Sequence, residues 1–599
     1  MSISDGGSAL FSDDIISRFT SDKYSDRVRF PNMRWTDYIF KKVTLQQQHN
    51  VNISGGNKKV RYFFSAGFFS QDGIFDQYGQ NEYAFDYRYN RFNYRSNIDI
   101  DVTPTTQVSI NVAGKIDNSA KPRTGQGAEG MVKAIYGATP FSSAGFDDQG
   151  RYIGTNVDAE YNLEYDAEGN PHAVTLPFTG SSPMTYVTYQ PGAYHNTANT
   201  ITSDVILTQK LDVITKNLSL RLKGSYNSGF NLQKTLTSSA ATVTPRMMPD
   251  GTVEFITNSF KESPTYSEPS TAGKWRNWYI EAALNWNREF GDHSLSALLL
   301  YNQSKEYYPK TYSDLGRGYV GLVGRVTYDY DNRYLAEINF GYNGSENFAP
   351  GKRFGAFPAG SIGWVISNEK FMEDLHPYLS FLKIRATIGK VGNDKIGGSR
   401  FMYLADPFGV NGAALLERLG KDDGPYGYNF GTGNGGYATQ PGAWEMQKNN
   451  PDVTWEKAVK QNYAVDIQFL NDRLKASFDY YREHRTDILL QNHNSSVVLG
   501  YTPAMTNYGI VDSWGWELSV GWNDMIGKDF SYYARFNLSY NDNKIIRDGQ
   551  APQNYDYQKT AGHRIGSRSQ LKFWGYYDET AAQRYEDEFG APLPQQLKA

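Results

Sequence analysis

The chain has no cysteine among its 599 residues, so disulfides, thiolate catalysis and thiolate metal sites are excluded while the compartment stays open. It also has no apolar run near the ~18 residues that a membrane-crossing helix requires. Ser296-Ala297-Leu298-Leu299-Leu300-Tyr301 is among its longest. A basic excess is missing too: 60 Lys and Arg face 64 Asp and Glu, and the net charge of -4 is spread along the chain. Nucleic-acid binding, which needs a basic stripe to neutralise phosphates, is set aside. Residues 1–20 carry no basic region followed by an apolar core, so they are not a secretory signal, and an exported protein would have its true start elsewhere.

What the chain does have is 45 Tyr, 33 Phe and 11 Trp beside 57 Gly and 24 Pro, a mixture suited to pleated surfaces punctuated by turns. A period of two runs through it. Leu382, Ile384, Ala386 and Ile388 alternate with Phe381, Lys383, Arg385 and Thr387, and Leu474, Ala476, Phe478 and Tyr480 alternate with Lys475, Ser477 and Asp479. Successive strand side chains point to opposite faces, so each segment has an apolar face and a polar, often charged one. That is the pattern of a barrel wall between lipid and water.

Strands are expected near 60–70, 94–103, 106–116, 204–213, 217–227, 278–290, 294–304, 319–330, 333–342, 359–367, 380–390, 460–470, 473–483, 514–525 and 530–541. Thr103-Pro104-Thr105-Thr106, Gly291-Asp292, Asp331-Asn332 and Asn471-Asp472 read as tight turns, whereas 117–203, 228–277, 391–459 and 484–513 are long links. Short and long links alternate, and the less regular short one, 368–379, holds a short helical turn. In an up-and-down sheet every second link lies on the same side, so one rim is tidy and the other carries large loops, as in outer-membrane barrels. The expected organisation is an early barrel or approach segment over 1–59, transmembrane strands with long extracellular loops over 60–541, and an extracellular loop over 542–599. The fold class is all-β: an antiparallel up-and-down transmembrane β-barrel. The last strand points to the long-loop side with no clear return, and an open sheet edge in hydrocarbon costs several kcal/mol per unpaired group, roughly. The chain is therefore expected to be incomplete, lacking strands at its C-terminal end and at its N-terminal end.

Several short motifs recur in a fixed order. Asp37-Tyr38-Ile39-Phe40 precedes His49-Asn50-Val51-Asn52-Ile53-Ser54-Gly55-Gly56; Tyr334-Leu335 leads to Asn343-Gly344-Ser345-Glu346-Asn347-Phe348, then Arg353-Phe354-Gly355-Ala356-Phe357-Pro358-Ala359, Gly363-Trp364 and Glu369-Lys370-Phe371. Thr454-Trp455-Glu456-Lys457, Leu470-Asn471-Asp472-Arg473-Leu474, Asp479-Tyr480-Tyr481, Thr486-Asp487 with Leu489, Asn507-Tyr508-Gly509 and Gly515-Trp516-Glu517 follow. Over roughly residues 35–580 this order resembles the SusC/RagA family of TonB-dependent outer-membrane transporters of Bacteroidetes-type bacteria. Asn343 and Glu346 stand where the family usually shows Asp and Ser, and Ala359 where it usually shows Ser. The family's signal peptide, small N-terminal β-domain, TonB box and plug domain have no counterpart in these motifs, so energy coupling is assigned to no residue.

The resemblance implies import of a bulky nutrient, an oligosaccharide or peptide, across the outer membrane. It implies a barrel of about 22 strands, of which some 15 are legible here. A SusD-like surface lipoprotein would cap the long loops, and TonB with ExbB and ExbD would supply work. No cofactor and no chemistry on the substrate are implied, so the chain is not expected to be an enzyme.

Within the loop 391–459, Tyr426, Tyr428, Tyr437 and Trp444 are the candidate ligand-binding residues, since aromatic faces flanked by polar groups grip sugar rings or peptide side chains; packing of the loop or contact with a lid protein is the rival reading. Tyr328, Tyr330, Phe340, Tyr342, Trp516, Trp522, Tyr532 and Tyr540 are expected in interfacial girdles. Gly431-Thr432-Gly433-Asn434-Gly435-Gly436 fits G-x-G-x-x-G but lacks the flanking strand and helix a dinucleotide needs, and reads as loop. His49, His172, His195 and His376 are scattered without ligand spacing. Asp147-Asp148 and Asp422-Asp423 read as solvated loop carboxylates, occasionally calcium-binding. Two other functions stand beside the importer: a passive porin, and a secreted β-rich glycan-binding protein or hydrolase with water on both outer faces.

Overall fold

The computed structural model describes residues 13–76, 87–123, 127–154, 163–174, 192–239, 241–260, 262–308, 315–394, 400–404, 408–410, 428–431, 437–440, 443–445, 448–491, 503–570, 573, 580–590 and 592. Sixteen long strands dominate: β1 (Gln46–Gly56), β2 (Val60–Asp72), β3 (Arg88–Asp101), β4 (Thr106–Pro122), β5 (Gly192–Lys210), β6 (Leu218–Ser239), β7 (Ser270–Phe290), β8 (His293–Tyr307), β9 (Arg317–Tyr330), β10 (Tyr334–Ser345), β11 (Phe354–Val365), β12 (Leu379–Asn393), β13 (Glu456–Phe469), β14 (Leu474–Gln491), β15 (Met505–Ile526) and β16 (Phe530–Arg547). With the short strand Glu262–Tyr266 they make up a 17-stranded sheet. The chain divides into two compact units, Met1–Trp286 with Leu298–Val320, and Asn287–Ala297 with Gly321–Ala599.

In the first unit β1 to β7 pair antiparallel in sequence order, and the register decides what each face carries. Tyr62, Ile98, Ile110, Val205, Gly224 and Ile280 lie in one hydrogen-bonded row, and Val60, Ile100, Val108, Leu207, Leu222 and Ala282 in the next on the same face. The alternate rows carry Arg61, Asp99, Ser109, Lys223 and Glu281. Both apolar rows are left exposed: Val205 is 52% and Ile280 53% exposed in the first, and Leu222 39% in the second.

The second unit repeats the arrangement in β10 to β16. One row runs Tyr334, Trp364, Ile384, Val465, Phe478, Leu518, Leu538, and its neighbour runs Ala336, Ile362, Ala386, Tyr463, Tyr480, Trp516, Tyr540. Ile338 is 69% and Ile362 67% exposed, so among the described residues nothing covers this face. The opposite face carries Lys383, Arg385, Asp466, Ser477 and Asp479. A sheet that leaves its Leu, Ile and Phe rows bare cannot be half of a water-soluble sandwich, because burying apolar surface is what stabilises such a fold.

The aromatic girdles occupy both ends of this apolar face. Tyr463, Tyr480, Trp516 and Tyr540 border it toward the long links, and Tyr334, Trp364, Trp522 and Tyr532 toward the short turns. The row that starts at Tyr334 ends at Leu538, well up the strand from Tyr532. The girdle therefore crosses the hydrogen-bonded rows obliquely, which is what tilted strands in a bilayer require. Phe340 and Tyr342 mark its loop-side continuation on β10, and Tyr330 stacks on Tyr334 at 6.2 Å on the turn side.

The alternation of links holds. Residues 57–59, 102–105, 291–292, 331–333, 470–473 and 527–529 are tight connections, and 366–378 carries two 3-10 turns, Ile366–Asn368 and Lys370–Leu375, where the helical turn was expected. Asp331 and Asn332 have φ of 53° and 51°, a left-handed conformation that Asp and Asn tolerate because their short side chains bond locally. Many strands outrun the expected bounds. β6 spans 22 residues and β5 19, and β16 runs to Arg547 rather than 541. Beyond the belt both faces are wet, so the apolar alternation fades while the backbone ladder continues. β1 was hidden for a related reason: only Val51 and Ile53 among its eleven residues are apolar. β1 pairs with β2, and β16 with β15; each has that single ladder partner among the described residues. After β16 come a 3-10 turn, Asp556–Gln558, and a helix, Ala581–Phe589, ended by Gly590 with φ of 64°.

Candidate substrate-capture surface

On the polar face of the second unit, Arg385 reaches across two strands. Its Nε donates to Asp466 Oδ2 at 3.1 Å and its Nη2 to Asp479 Oδ1 at 2.7 Å, while Asn462 Nδ2 and Ser477 Oγ donate to the same two carboxylates at 3.1 and 3.0 Å. In the first unit Arg221 pairs with Glu281 at 2.9 Å, Lys223 with Asp204 at 3.4 Å, and the Tyr279 hydroxyl donates to Glu281 Oε2 at 2.6 Å. Such networks satisfy charges that a half-wet surface solvates poorly, and they leave a face rich in hydrogen-bond donors and acceptors.

The recurrent motifs meet at the roots of the long links. Phe348 is fully buried, and the Trp455 ring packs on it and on Phe357 at 5.2 and 5.3 Å. Arg353 Nε donates to the Phe348 carbonyl at 3.2 Å, and Trp455 Nε1 to the Arg353 carbonyl at 3.1 Å. Asn507 Nδ2 donates to the carbonyls of Thr454 and Asp487 at 2.9 and 2.8 Å, and its Oδ1 takes the Thr454 N–H at 2.8 Å. Glu456 takes the Leu489 N–H at 3.0 Å and Asn393 Nδ2 at 2.8 Å. These residues anchor loops: their polar atoms are consumed by neighbouring backbone. A second knot sits on the short-turn side, where Tyr334 Oη, Trp364 Nε1 and Arg333 Nη1 all donate to Glu369 at 2.7, 3.0 and 3.2 Å. Hydrogen bonds from Tyr334 and Trp364 hold the Glu369 carboxyl below its ordinary range.

In the first unit the long links fold into a module of their own. Three short helices, Asp13–Arg18, Tyr24–Arg29 and Trp35–Ile39, precede β1 and pack on elements of the β4–β5 and β6–β7 links. Trp35, Ile39, Phe75, Met131, Ile135 and Tyr152 form one core, and Val28, Ile153 and Val243 another. The Trp35 indole N–H donates to the Thr139 carbonyl at 2.8 Å. Beside these cores lies a cavity of about 450 Å³, walled by Arg18, Lys23, Asp26, Glu164, Tyr165 and Met248 among others. Glu164 accepts hydrogen bonds from both Arg18 and the buried Arg29, the latter at 2.8 Å. Burial works against the ionised carboxyl, yet the bonds from Arg18 and Arg29 outweigh it and hold Glu164 below its ordinary range.

The candidate ligand residues fall in the link between β12 and β13. Tyr426 lies outside the described residues. Tyr428 and Tyr437 stand on the two strands of a hairpin, Tyr428–Gly431 and Tyr437–Gln440, with Tyr428 opposite Gln440 and Tyr437 opposite Gly431; Trp444 lies on a separate strand, Ala443–Glu445, opposite Gly409. The hairpin brings the two tyrosine-bearing strands together and leaves Trp444 on another pair. Of the G-x-G-x-x-G stretch, Gly431 ends a strand, and Thr432 to Gly436 lie outside the described residues. Asp147 caps its own turn, taking the N–H groups of Gln149 and Arg151 at 3.0 and 2.8 Å; Asp422 and Asp423 lie outside the described residues. Among the described residues no cluster of three or more His, Asp or Glu is arranged to hold a metal. The module and its cavity were not legible in the sequence. The spacing of Trp35, Ile39, Met131 and Ile135 was the available signal, since i, i+4 apolar pairs on short helices ask for a partner surface.

No family model matches the chain. Over 558 residues it is 25% identical to TonB-dependent receptor P39 of Formosa agariphila, covering 90% of this chain and 47% of that protein. A stretch of 283 residues, 46% of this chain, is 30% identical to TonB-dependent receptor SusC of Bacteroides thetaiotaomicron and covers 26% of it. Among solved structures, the RagAB peptide importer in its open-open state aligns with a TM-score of 0.61 at 17% identity, covering 90% of this chain and 55% of that one. The chain spans about half the length of the first of these curated relatives, 47%.

Proposed function

We propose that this chain, a SusC/RagA-like relative of TonB-dependent receptors with the antiparallel β-barrel fold of the bacterial outer membrane, supplies the wall and capture loops of an importer for bulky nutrients, oligosaccharide or peptide. The observation that carries the reading is the register within each unit: the apolar row from Tyr62 to Ile280 in the first, and that from Tyr334 to Leu538 in the second, lies on a bare face with ion-paired side chains on the opposite one. A lipid-facing belt backed by a hydrated lining is a transport wall. Cargo would be taken first by the long links, with Tyr426, Tyr428, Tyr437 and Trp444 as contact residues, beneath a SusD-like lipoprotein, and released inward when TonB, with ExbB and ExbD, does work on the transporter. The curated relatives are named receptors, and RagAB is titled a peptide importer, which favours transport over catalysis.

The test is accumulation of labelled oligosaccharides and peptides by cells carrying the complete locus, with and without a functional TonB system. Uptake of one class that stops when TonB is lost supports the importer. Uptake indifferent to TonB replaces it with a passive pore.

A further inference from the structure

The bare face of the second unit is not uniform. Between β9 and β14 it is recessed into a cavity of about 790 Å³ whose walls include Ile362, Trp364, Ile384, Tyr463, Phe478 and Tyr480. Directly above, on the same face and toward the long links, the side chains turn from apolar to cationic. Arg482 follows Tyr480 on β14 and Lys390 follows Ile388 on β12; the next hydrogen-bonded row runs Lys390, Val459, His484, Asp512, Lys544. Arg564 joins from the segment after β16, 3.4 Å from Asp542.

Charges here are unequal in number and in reach. Arg482 and Arg564 are each 55% exposed, whereas their carboxylate partners Asp512 and Asp542 are 18% and 31% exposed. Lys390 and Lys544 have no ion-pair partner among the described residues. The outermost charge is therefore positive, at the depth where the Trp516 and Tyr540 girdle meets headgroups. On the same face of the first unit the row Gln47, Ser70, Asn90, Asn118 and Thr197 is neutral, and the next row pairs Arg88 with Asp72 at 3.4 Å before reaching His195 and Lys234. What sets the second unit apart is that Lys390 and Arg482 stand directly beyond an apolar recess.

We propose that this recess and its cationic edge form a binding site for a phosphate-bearing, multiply acylated lipid of the outer leaflet, the chains lying in the recess and the phosphates along the edge, one between Lys390 and Arg482 and a second within reach of Lys544. Strand geometry sets the reach: Arg482 and Lys390 lie two and four residues beyond the recess, about 7 and 13 Å at the rise of a strand, which is the span from acyl chain to headgroup. Basic side chains at a bilayer surface add roughly one decade of affinity or less each for anionic headgroups, and the girdle aromatics fix the depth.

The site is tested with the protein purified from outer membranes, stripped of lipid and reloaded with a bisphosphorylated acyl-disaccharide lipid or with the same lipid after phosphatase treatment; bound lipid is read by native mass spectrometry. The wild type is expected to retain the phosphorylated form at least about tenfold better. The triple variant Lys390→Gln, Arg482→Gln, Lys544→Gln should lose that preference. A charge-matched control, Lys58→Gln, Lys59→Gln, Arg88→Gln, and the conservative pair Lys390→Arg, Lys544→Arg should both keep it. Equal retention of the two lipids by the wild type, an unchanged preference in the triple variant, or an equal loss in the control overturns the site. The readout is independent of uptake, so failure of the importer reading leaves it standing.

Discussion

The indole N–H of Trp455 donates to the carbonyl of Arg353 at 3.1 Å, joining residues 102 apart in the chain. Around that bond the roots of three long links are stitched together by Phe348, Glu456 and Asn507. Long links with mobile tips need fixed bases, and this cluster supplies such a base.

Truncating Trp455 to Ala removes the ring that covers Phe348 and Phe357 and is expected to cost about 3–5 kcal/mol. Trp455→Phe keeps most of the packing and loses the bond to Arg353, at about 1 kcal/mol. Unfolding in detergent orders the two variants, and hydrogen exchange over 346–356 should rise in both, more in the alanine variant. Equal stability of wild type and Trp455→Ala would deny the cluster its anchoring role.

Gly392 leaves room for the Phe357 ring: a Cβ there would collide with Phe357 Cζ. Gly392→Ala should therefore destabilise by about 1–3 kcal/mol through overpacking. Combining it with Phe357→Leu should recover much of that loss, because the colliding atom is the far end of a side chain. A double-mutant cycle with no coupling between the two sites contradicts the geometry.

Ile362 is 67% exposed on the isolated chain, so in a water-facing sheet Ile362→Lys would change stability by no more than about 0.5 kcal/mol. On a lipid-facing wall the same change costs about 2–4 kcal/mol near mid-bilayer. Ser361→Lys, on the opposite face, should be far milder in either case. Folding free energies measured in lipid vesicles separate the alternatives, and a neutral Ile362→Lys there argues against a membrane belt.

Acid should loosen the loop module of the first unit. The Glu164 carboxyl is held below its ordinary range by Arg18 and Arg29 against the opposing effect of burial, so its contribution is complete above the ordinary carboxylate pKa. That contribution is lost as pH falls through the depressed value in the folded protein. Protease resistance of residues 13–40 should fall over this acidic window in the wild type, and Glu164→Gln should be weaker at neutral pH with a flatter profile. Identical profiles for the two proteins would remove Glu164 as the module's acid-sensitive tie.

Much of the wall could be read from the chain because lipid and water impose opposite demands on alternate residues. Leu382 to Ile388 and Leu474 to Tyr480 announced their faces by chemistry alone, and the turn at Asp331-Asn332 by its tolerance of left-handed backbone. β1 and the outer halves of β5 and β6 did not announce themselves, since a strand wet on both faces has no alternation. The capture surface was harder still. Trp455, Glu456, Asn507 and Phe348 were visible as an ordered set of motifs, but nothing in their order said that they anchor loops rather than touch cargo. The helical module from Asp13 to Ile39 gave only short apolar spacings.

The sequence by itself determined the two-faced strands, their number to within the wet-ended ones, and the alternation of short and long links, because each of these is a local consequence of side-chain polarity and turn chemistry. Only the tertiary structure decided the register that puts Tyr334 and Leu538 in one row, the gathering of motif residues at the loop roots, and the placing of Lys390 and Arg482 beyond the recess of β9–β14. Those depend on which residues from distant strands lie side by side, and pairing across hundreds of residues is set by the whole ladder rather than by any segment of it.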